Sequence, residues 1–395
     1  MTATTLACAC LLLFSLSLGA CITAAPKPAM VHAGPATRSA LPALALPALA
    51  GGCAGASREL DRLRIDGRTQ RSAGGGARFA WSGTAFTFHF RSTELQVELE
   101  DSGRNYFEVE LDGVVLPAKL AAFSGAYCYT LARDLPAGEH RLTLTRITEA
   151  FLGESELRSI ALGPSGEWLL PEPAPERRLE VIGDSITAAY GVLGADRACH
   201  FSAATENQRL SYAALLASAL RAQLSSVAWS GKGVFSNRGS QQDTIPMPPL
   251  WERTLPERAD SRWPFASWQP GAVVIALGTN DFAAENPDKT PFAAAYLAFV
   301  NRVREVYPRA ALFCALSPLL SDAWPPGARS RSLAKVDLEH AVAFRNTHGD
   351  ARVFFVEHAA TPESEGYGCD WHPSRRTHER MAGELREAFA KNLGW

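Results

Sequence analysis

Four short blocks in the C-terminal half of the chain carry residue types suited to acyl transfer. They are Gly183-Asp184-Ser185-Ile186-Thr187, Ser230-Gly231-Lys232-Gly233, Gly278-Thr279-Asn280-Asp281 and Asp370-Trp371-His372-Pro373-Ser374. In the first, Gly183 permits a tight backbone turn that exposes the Ser185 hydroxyl for attack on a carbonyl. In the last, His372 is placed to take the Ser185 proton during attack and return it to the leaving alcohol. The tetrahedral intermediate carries a developing oxyanion, and losing one donor to it costs roughly 3 kcal/mol. The backbone N–H groups of Ser185 and Gly231 and the side-chain amide of Asn280 are the candidate donors. Taken singly, each block has a commoner use: Asp184 or Ser185 as a helix cap, Gly231 as a turn, Asn280 as a loop cap, His372 as a structural histidine. The specific signal is their joint order along the chain.

That order requires a scaffold, and the flanking sequence supplies one. Short continuous apolar runs stand at Leu179–Ile182, Val227–Trp229, Ala272–Leu277, Ala311–Leu316 and Val353–Val356, as expected of strands buried on both faces. Helical patterns lie near Gln208–Leu224, Phe292–Tyr307, Ser332–Arg345 and Arg375–Leu393. In the last, Met381, Leu385 and Phe389 form a stripe of period four. Strands alternating with helices predict a doubly wound α/β domain with a parallel sheet over about 176–395, and ligands in such sheets bind outside the carboxyl ends of the strands. The first three blocks follow the first three of those strands.

Residues 58–170 have another rhythm. Period-two runs such as Ala85–Phe90, Leu95–Leu99, Tyr106–Leu111 and His140–Leu144, with turn signals at Asp112-Gly113 and Pro136-Ala137-Gly138, predict an antiparallel β-sandwich. Pro171-Glu172-Pro173-Ala174-Pro175 reads as a stiff linker between the two domains. Residues 26–57, rich in Ala, Pro, Gly and Ser, read as a tether.

Residues 1–25 read as a signal peptide, because Leu6–Ala20 is apolar but too short to span a bilayer. Two cleavage patterns compete. Leu18-Gly19-Ala20-Cys21 has the form of a lipobox that would leave a lipidated, membrane-attached Cys21, whereas Ala24-Ala25-Pro26 has the form of an ordinary signal peptidase site. Either implies export to the periplasm, the outer membrane or the medium. With 39 basic and 41 acidic residues the formal net charge is −2, which provides no global field for nucleic acid or an anionic surface.

The four blocks, in this order, resemble the signature blocks of the SGNH (GDSL) hydrolase superfamily. Further segments look like carbohydrate esterase family 2: Gly67-Arg68-Thr69, Trp81-Ser82-Gly83-Thr84, Arg146-Ile147-Thr148-Glu149-Ala150, Phe201–Asn207 and Gly368–Ser374. The resemblance implies an N-terminal jelly roll joined to an SGNH domain, and a cofactor-independent esterase that removes acetyl groups from plant polysaccharides such as xylan and glucomannan. It also implies Ser185 and His372 as catalytic and Gly231 and Asn280 in the oxyanion hole. One departure stands out. The Asp usual three positions before the histidine is Cys369 here, and the nearest carboxylate is Asp370, two before. Either Asp370 orients the imidazole, a backbone carbonyl does so, or Asp370 caps the last helix.

Trp251 is the candidate aromatic platform for a sugar ring. Export allows disulfides, and Cys199 is expected to pair with Cys369 near the catalytic edge. Cys369 and His372 have a C-x-x-H spacing with no second pair of metal-like spacing, so no metal is expected. Two other readings fit the same residues: a lipase or thioesterase of the same superfamily, and a non-catalytic carbohydrate-binding lipoprotein retaining the fold.

Overall fold

The computed structural model describes residues 52–239, 245–283 and 288–395. The leader, Cys21 and all but the last six residues of the expected tether lie outside the described residues. Those last six are already attached to the first domain. Cys53 is disulfide-bonded to Cys128, a pairing that spacing alone left open, and the Ser57 N–H donates to the Ile160 carbonyl at 2.8 Å.

Two antiparallel sheets form the N-terminal domain. One runs, in spatial order, through Arg64–Asp66, Ala85–Arg91, Glu139–Arg146, Tyr106–Leu111 and Val114–Val115. The other runs through Gln70–Arg71, Ala77–Phe79, Ser155–Leu162, Leu95–Ser102 and Ser124–Ala132. Alternation is clean in Leu95–Ser102 and Tyr106–Leu111, whose inward residues Val97, Leu99, Phe107 and Val109 are fully buried with Phe86 and Phe88 between the sheets. Burying each such side chain contributes about 1.5–3 kcal/mol. The proline-containing segment after the sandwich lies against it, since Glu172 accepts from Arg141 at 2.8 Å and from Arg64 at 3.4 Å.

Five parallel strands follow: Arg177–Gly183, Ala222–Ala228, Ala272–Ala276, Ala311–Leu316 and Val353–Glu357. Their spatial order is second, first, third, fourth, fifth. The helices are α1 (Ser185–Ala188), α2 (Tyr212–Leu220), α3 (Met247–Trp251), α4 (Phe292–Val306), α5 (Ser330–Thr347) and α6 (Arg375–Leu393). In this topology the winding reverses between the first and third strands, which opens a crevice at their carboxyl ends. The Ser185 and Asn280 blocks leave the sheet there. The helix expected to run to Leu224 instead ends at Leu220. Arg221 turns left-handed (φ +49°), and residues 222–228 pair in register with the first strand, so sheet pairing overrides local helical preference.

The two domains share a buried polar junction. Arg68 of the sandwich is fully buried and its guanidinium meets the Glu180 carboxylate of the first parallel strand at 3.1 Å. It also donates to the carbonyls of Trp251 and Arg253. Glu180 further accepts from Trp251 Nε1 at 2.7 Å, Ser225 Oγ at 3.1 Å and Tyr307 Oη at 3.3 Å. This corrects the expectation for Trp251. Its indole is 0% exposed, with Phe265, Phe299 and Tyr307 packed against its ring, so it has no face to offer a sugar.

Candidate active site

Ser185 opens α1 directly after the first parallel strand. Asp184 caps that turn, accepting from the Ile186 N–H at 3.0 Å, and Gly183 is required because a Cβ there would come within 1.9 Å of Thr187 Oγ1. The result is a buried serine whose Oγ stands 2.9 Å from His372 Nε2. Residues 187 positions apart in sequence are thereby joined.

The imidazole is held on its other side by main chain. His372 Nδ1 lies 3.2 Å from the Cys369 carbonyl and 3.1 Å from that of Asp370. Donation from Nδ1 to these carbonyls leaves Nε2 as the acceptor facing Ser185, the tautomer a general base needs. Burial, opposed by those two hydrogen bonds and aided by the charge of Arg238, pushes His372 down to about 4, so it is neutral at neutral pH. The Tyr190 ring covers the imidazole with centroids 4.1 Å apart.

Asp370 does not touch the imidazole through its side chain. Its carboxylate instead accepts from Tyr190 Oη, His200 Nδ1 and the Phe201 N–H, each at 2.9 Å. Nor does it cap α6, whose cap is Ser374, accepting from the Thr377 N–H at 3.4 Å. The expectation that the Asp370 carboxylate orients His372 is therefore corrected, and the open alternative of a backbone carbonyl is what the geometry presents. The physical reason is the local backbone: Asp370 and Trp371 both lie in the left-handed region, at φ +51° and +67°. Two such non-glycine residues in succession turn the carbonyls inward and the carboxylate outward, a conformation that persists only when its surroundings over-determine it. Here they do. Cys369 is bonded to Cys199, its N–H donates to the Gly191 carbonyl at 3.0 Å, and the Asp370 N–H donates to the Cys199 carbonyl at 2.9 Å.

The candidate oxyanion donors converge on the same edge. Gly231 follows the second strand at φ +79°, and a Cβ built on it would meet open space within 4 Å. Asn280 Nδ2 donates to the Lys232 carbonyl at 2.8 Å and lies 3.4 Å from Asp184 Oδ2, which ties the third block to the residues flanking Gly231 and Ser185. Asp281 accepts from the N–H groups of Val234, Phe235 and Ser236 at 2.7–2.9 Å and fixes the loop after Gly231. Burial pushes the Asp184 carboxyl up to about 7.

Two groups at the site were not singled out from sequence. Trp371, 55% exposed and adjacent to His372, has the Arg197 guanidinium 4.3 Å from its ring and Tyr367 at 5.4 Å. Glu149 of the sandwich reaches Ser230, accepting from its N–H at 2.6 Å and from its hydroxyl. The signal for Trp371 was its place beside the base; for Glu149 it was its place in Arg146–Ala150, one of the segments that resemble carbohydrate esterase family 2.

A β-sandwich fused to a doubly wound domain with a serine and a histidine at its switch point defines a two-domain hydrolase of the GDSL type. The sequence matches the model "Carbohydrate esterase 2 N-terminal" over residues 65–173 and "GDSL-like Lipase/Acylhydrolase family" over residues 181–380. A family two carbohydrate esterase from Clostridium thermocellum, solved in complex with cellohexaose, is 37% identical. That comparison covers 84% of this chain and 99% of the other, with a TM-score of 0.79. Cellulase/esterase CelE of Acetivibrio thermocellus is 39% identical over 337 residues, which are 84% of this chain. The chain spans 40% of that relative's own length. An acetylxylan esterase / glucomannan deacetylase of Cellvibrio japonicus is 26% identical over 84% of this chain and 89% of its own length. The chain belongs to carbohydrate esterase family 2.

Proposed function

We propose that the protein is a serine esterase that removes O-acetyl groups from plant polysaccharides of the xylan or glucomannan type, or from their oligosaccharides, without a cofactor. The observation that carries this reading is the 2.9 Å contact between Ser185 Oγ and a histidine whose other nitrogen is fixed by main-chain carbonyls. In the first half-reaction Ser185 Oγ attacks the acetyl carbonyl carbon while His372 Nε2 takes its proton. The oxyanion accepts hydrogen bonds from the Ser185 and Gly231 N–H groups and from the Asn280 Nδ2 N–H that turns to it from its long 3.4 Å contact with Asp184. The carbonyl re-forms, the bond to the sugar oxygen breaks, and His372 gives its proton to that oxygen. Water, deprotonated by the same histidine, then cleaves acetyl-Ser185 to acetate.

The carbohydrate substrate is supported by the cellohexaose complex of the similar Clostridium thermocellum enzyme and by the half-exposed Trp371, whose ring face opposite Arg197 would match the C–H face of a pyranose. Acetate release from acetylated xylan, glucomannan and cellobiose tests it, alongside p-nitrophenyl acetate, butyrate and octanoate. The reading requires the acetyl substrates to lead; preference for octanoate would instead place the protein with the lipases, and no turnover at all would make it a binding protein. Export through residues 1–25 and attachment through Cys21 belong to the same proposal. Among the described residues no helix is long and apolar enough to cross a membrane. Mass spectrometry of the mature N-terminus distinguishes a lipidated Cys21 from a chain starting at Pro26.

A further inference from the structure

We propose that Glu149, at the end of the sandwich domain, is a positioning residue for the oxyanion-binding turn Ser230-Gly231, so that the first domain completes the catalytic machinery of the second. The inference rests on the esterase reading above and extends it across the domain boundary.

Glu149 is fully buried, and both of its carboxylate oxygens are committed to one residue. One accepts from the Ser230 N–H at 2.6 Å, and the other accepts from the Ser230 hydroxyl. A two-point grip, on the N–H of the Trp229–Ser230 peptide and on the Ser230 side chain, fixes the residue immediately before Gly231, whose N–H is a candidate donor to the oxyanion. The carboxylate is itself fixed from behind. Arg146, also fully buried, donates to the carbonyls of Thr148, Glu149 and Gly153 and to Ser155 Oγ at 2.7–3.1 Å, clamping the turn that carries Glu149. The Glu149 N–H donates to Glu206 Oε2 at 3.0 Å. Trp229, immediately before Ser230, is flanked by the sandwich-side rings of Trp81 and Phe151, with centroids 6.4 and 6.5 Å away.

Placing two carboxyl groups in this dry junction is costly, which argues against a passive role. Burial pushes both above the ordinary carboxylate range, and the charge of Glu149 raises Glu206 further. Both Ser230 hydrogen bonds draw the Glu149 carboxyl back down against burial, so the grip favours its ionised, accepting form. A junction meant only to glue two domains is served better by apolar side chains of similar volume.

The test compares Glu149→Ala, Glu149→Gln and Ser230→Ala with the wild-type full chain. Each is assayed for p-nitrophenyl acetate turnover, for inhibition by an alkylboronic acid that forms a tetrahedral adduct on Ser185, and for thermal unfolding. Removing an oxyanion donor outright costs about 10²–10³ in kcat, so mispositioning one should cost about 10- to 100-fold. Glu149→Ala is expected to lower kcat by that factor at unchanged KM and to weaken boronate inhibition in parallel. Glu149→Gln retains an acceptor for the Ser230 N–H and should recover most of the loss. A folded Glu149→Ala protein with wild-type kcat and boronate affinity overturns the proposal. Should Glu149→Ala fail to fold, Ser230→Ala decides: it breaks half of the grip, and undiminished kcat and boronate affinity in that variant also overturn the proposal. Wild-type enzyme inactive on every acetyl ester would instead refute the esterase reading.

Discussion

His372 takes its orientation from the main chain of Cys369, whose carbonyl lies 3.2 Å from Nδ1, while the carboxylate next to it in sequence is turned toward Tyr190, His200 and Phe201. In the proposed reaction the site works as a serine–histidine dyad backed by peptide carbonyls, while the Asp370 carboxylate ties the loop to Tyr190, His200 and Phe201.

Asp370→Asn follows from this arrangement. Where a carboxylate directly orients the base, the Asn variant loses about four orders of magnitude in kcat. Here the amide oxygen still accepts from the Phe201 N–H and the carbonyls at Nδ1 are untouched. We expect kcat on p-nitrophenyl acetate to stay within about tenfold of wild type, and a loss near 10⁴ to show that the carboxylate reaches the ring during turnover.

The Cys199–Cys369 bond closes a separation of 170 residues and ends one residue before the strained turn. In the chain-entropy model such a loop stabilises by about 5 kcal/mol. The Cys199→Ser/Cys369→Ser double variant should unfold at a lower temperature. It should also lose kcat beyond what the stability change explains, because the His372 carbonyl partners lose their anchor. Comparing kcat well below the melting temperature with the unfolding midpoint separates the two effects.

The pH profile should carry the signature of a buried base. In the proposed mechanism His372 acts when neutral, and its value in the folded protein is pushed down to about 4 by burial, so kcat/KM should hold through pH 6 and fall only well below it. An acid limb centred near 6.5 would contradict the packing of Tyr190 over the ring. Stability has the same sign. Burial also pushes His378 down, to about 3, so the unfolded chain takes up the proton first. The contribution of this neutral histidine is complete above about pH 6.5 and declines as pH falls toward its folded value.

Arg68 and Glu180 form a fully buried pair between the domains. Removing one partner leaves an uncompensated charge, at a cost of about 3–5 kcal/mol. Arg68→Ala should therefore lower the chemical denaturation midpoint by far more than the loss of an exposed pair such as Arg91–Glu139.

Much of this was legible in the residues. The five parallel strands were visible because strands buried on both faces are continuous apolar runs, and the sandwich because Leu95–Leu99 and Tyr106–Leu111 alternate. Ser185, Gly231, Asn280 and His372 stood out because each follows a strand or precedes the last helix, and the structure gathers their blocks at one sheet edge. The fate of Asp370 was not legible, since two consecutive left-handed residues leave no mark in composition. Trp251 was misread because an indole that stacks on sugar and one that donates to a buried glutamate look alike in sequence. The grip of Glu149 on Ser230 crosses a domain boundary, which local pattern does not encode.

In the proposed mechanism Ser185 carries the acetyl group between the two half-reactions. Acid quenching of the enzyme during turnover of acetylated cellobiose, followed by peptide mass mapping, measures this directly. An acetyl group is expected on the peptide containing Ser185, absent from the Ser185→Ala protein, which should also lose at least about 10⁴-fold in kcat. A well-folded Ser185→Ala protein that still releases acetate at near wild-type rate, or an acetyl group found on another residue, would contradict it.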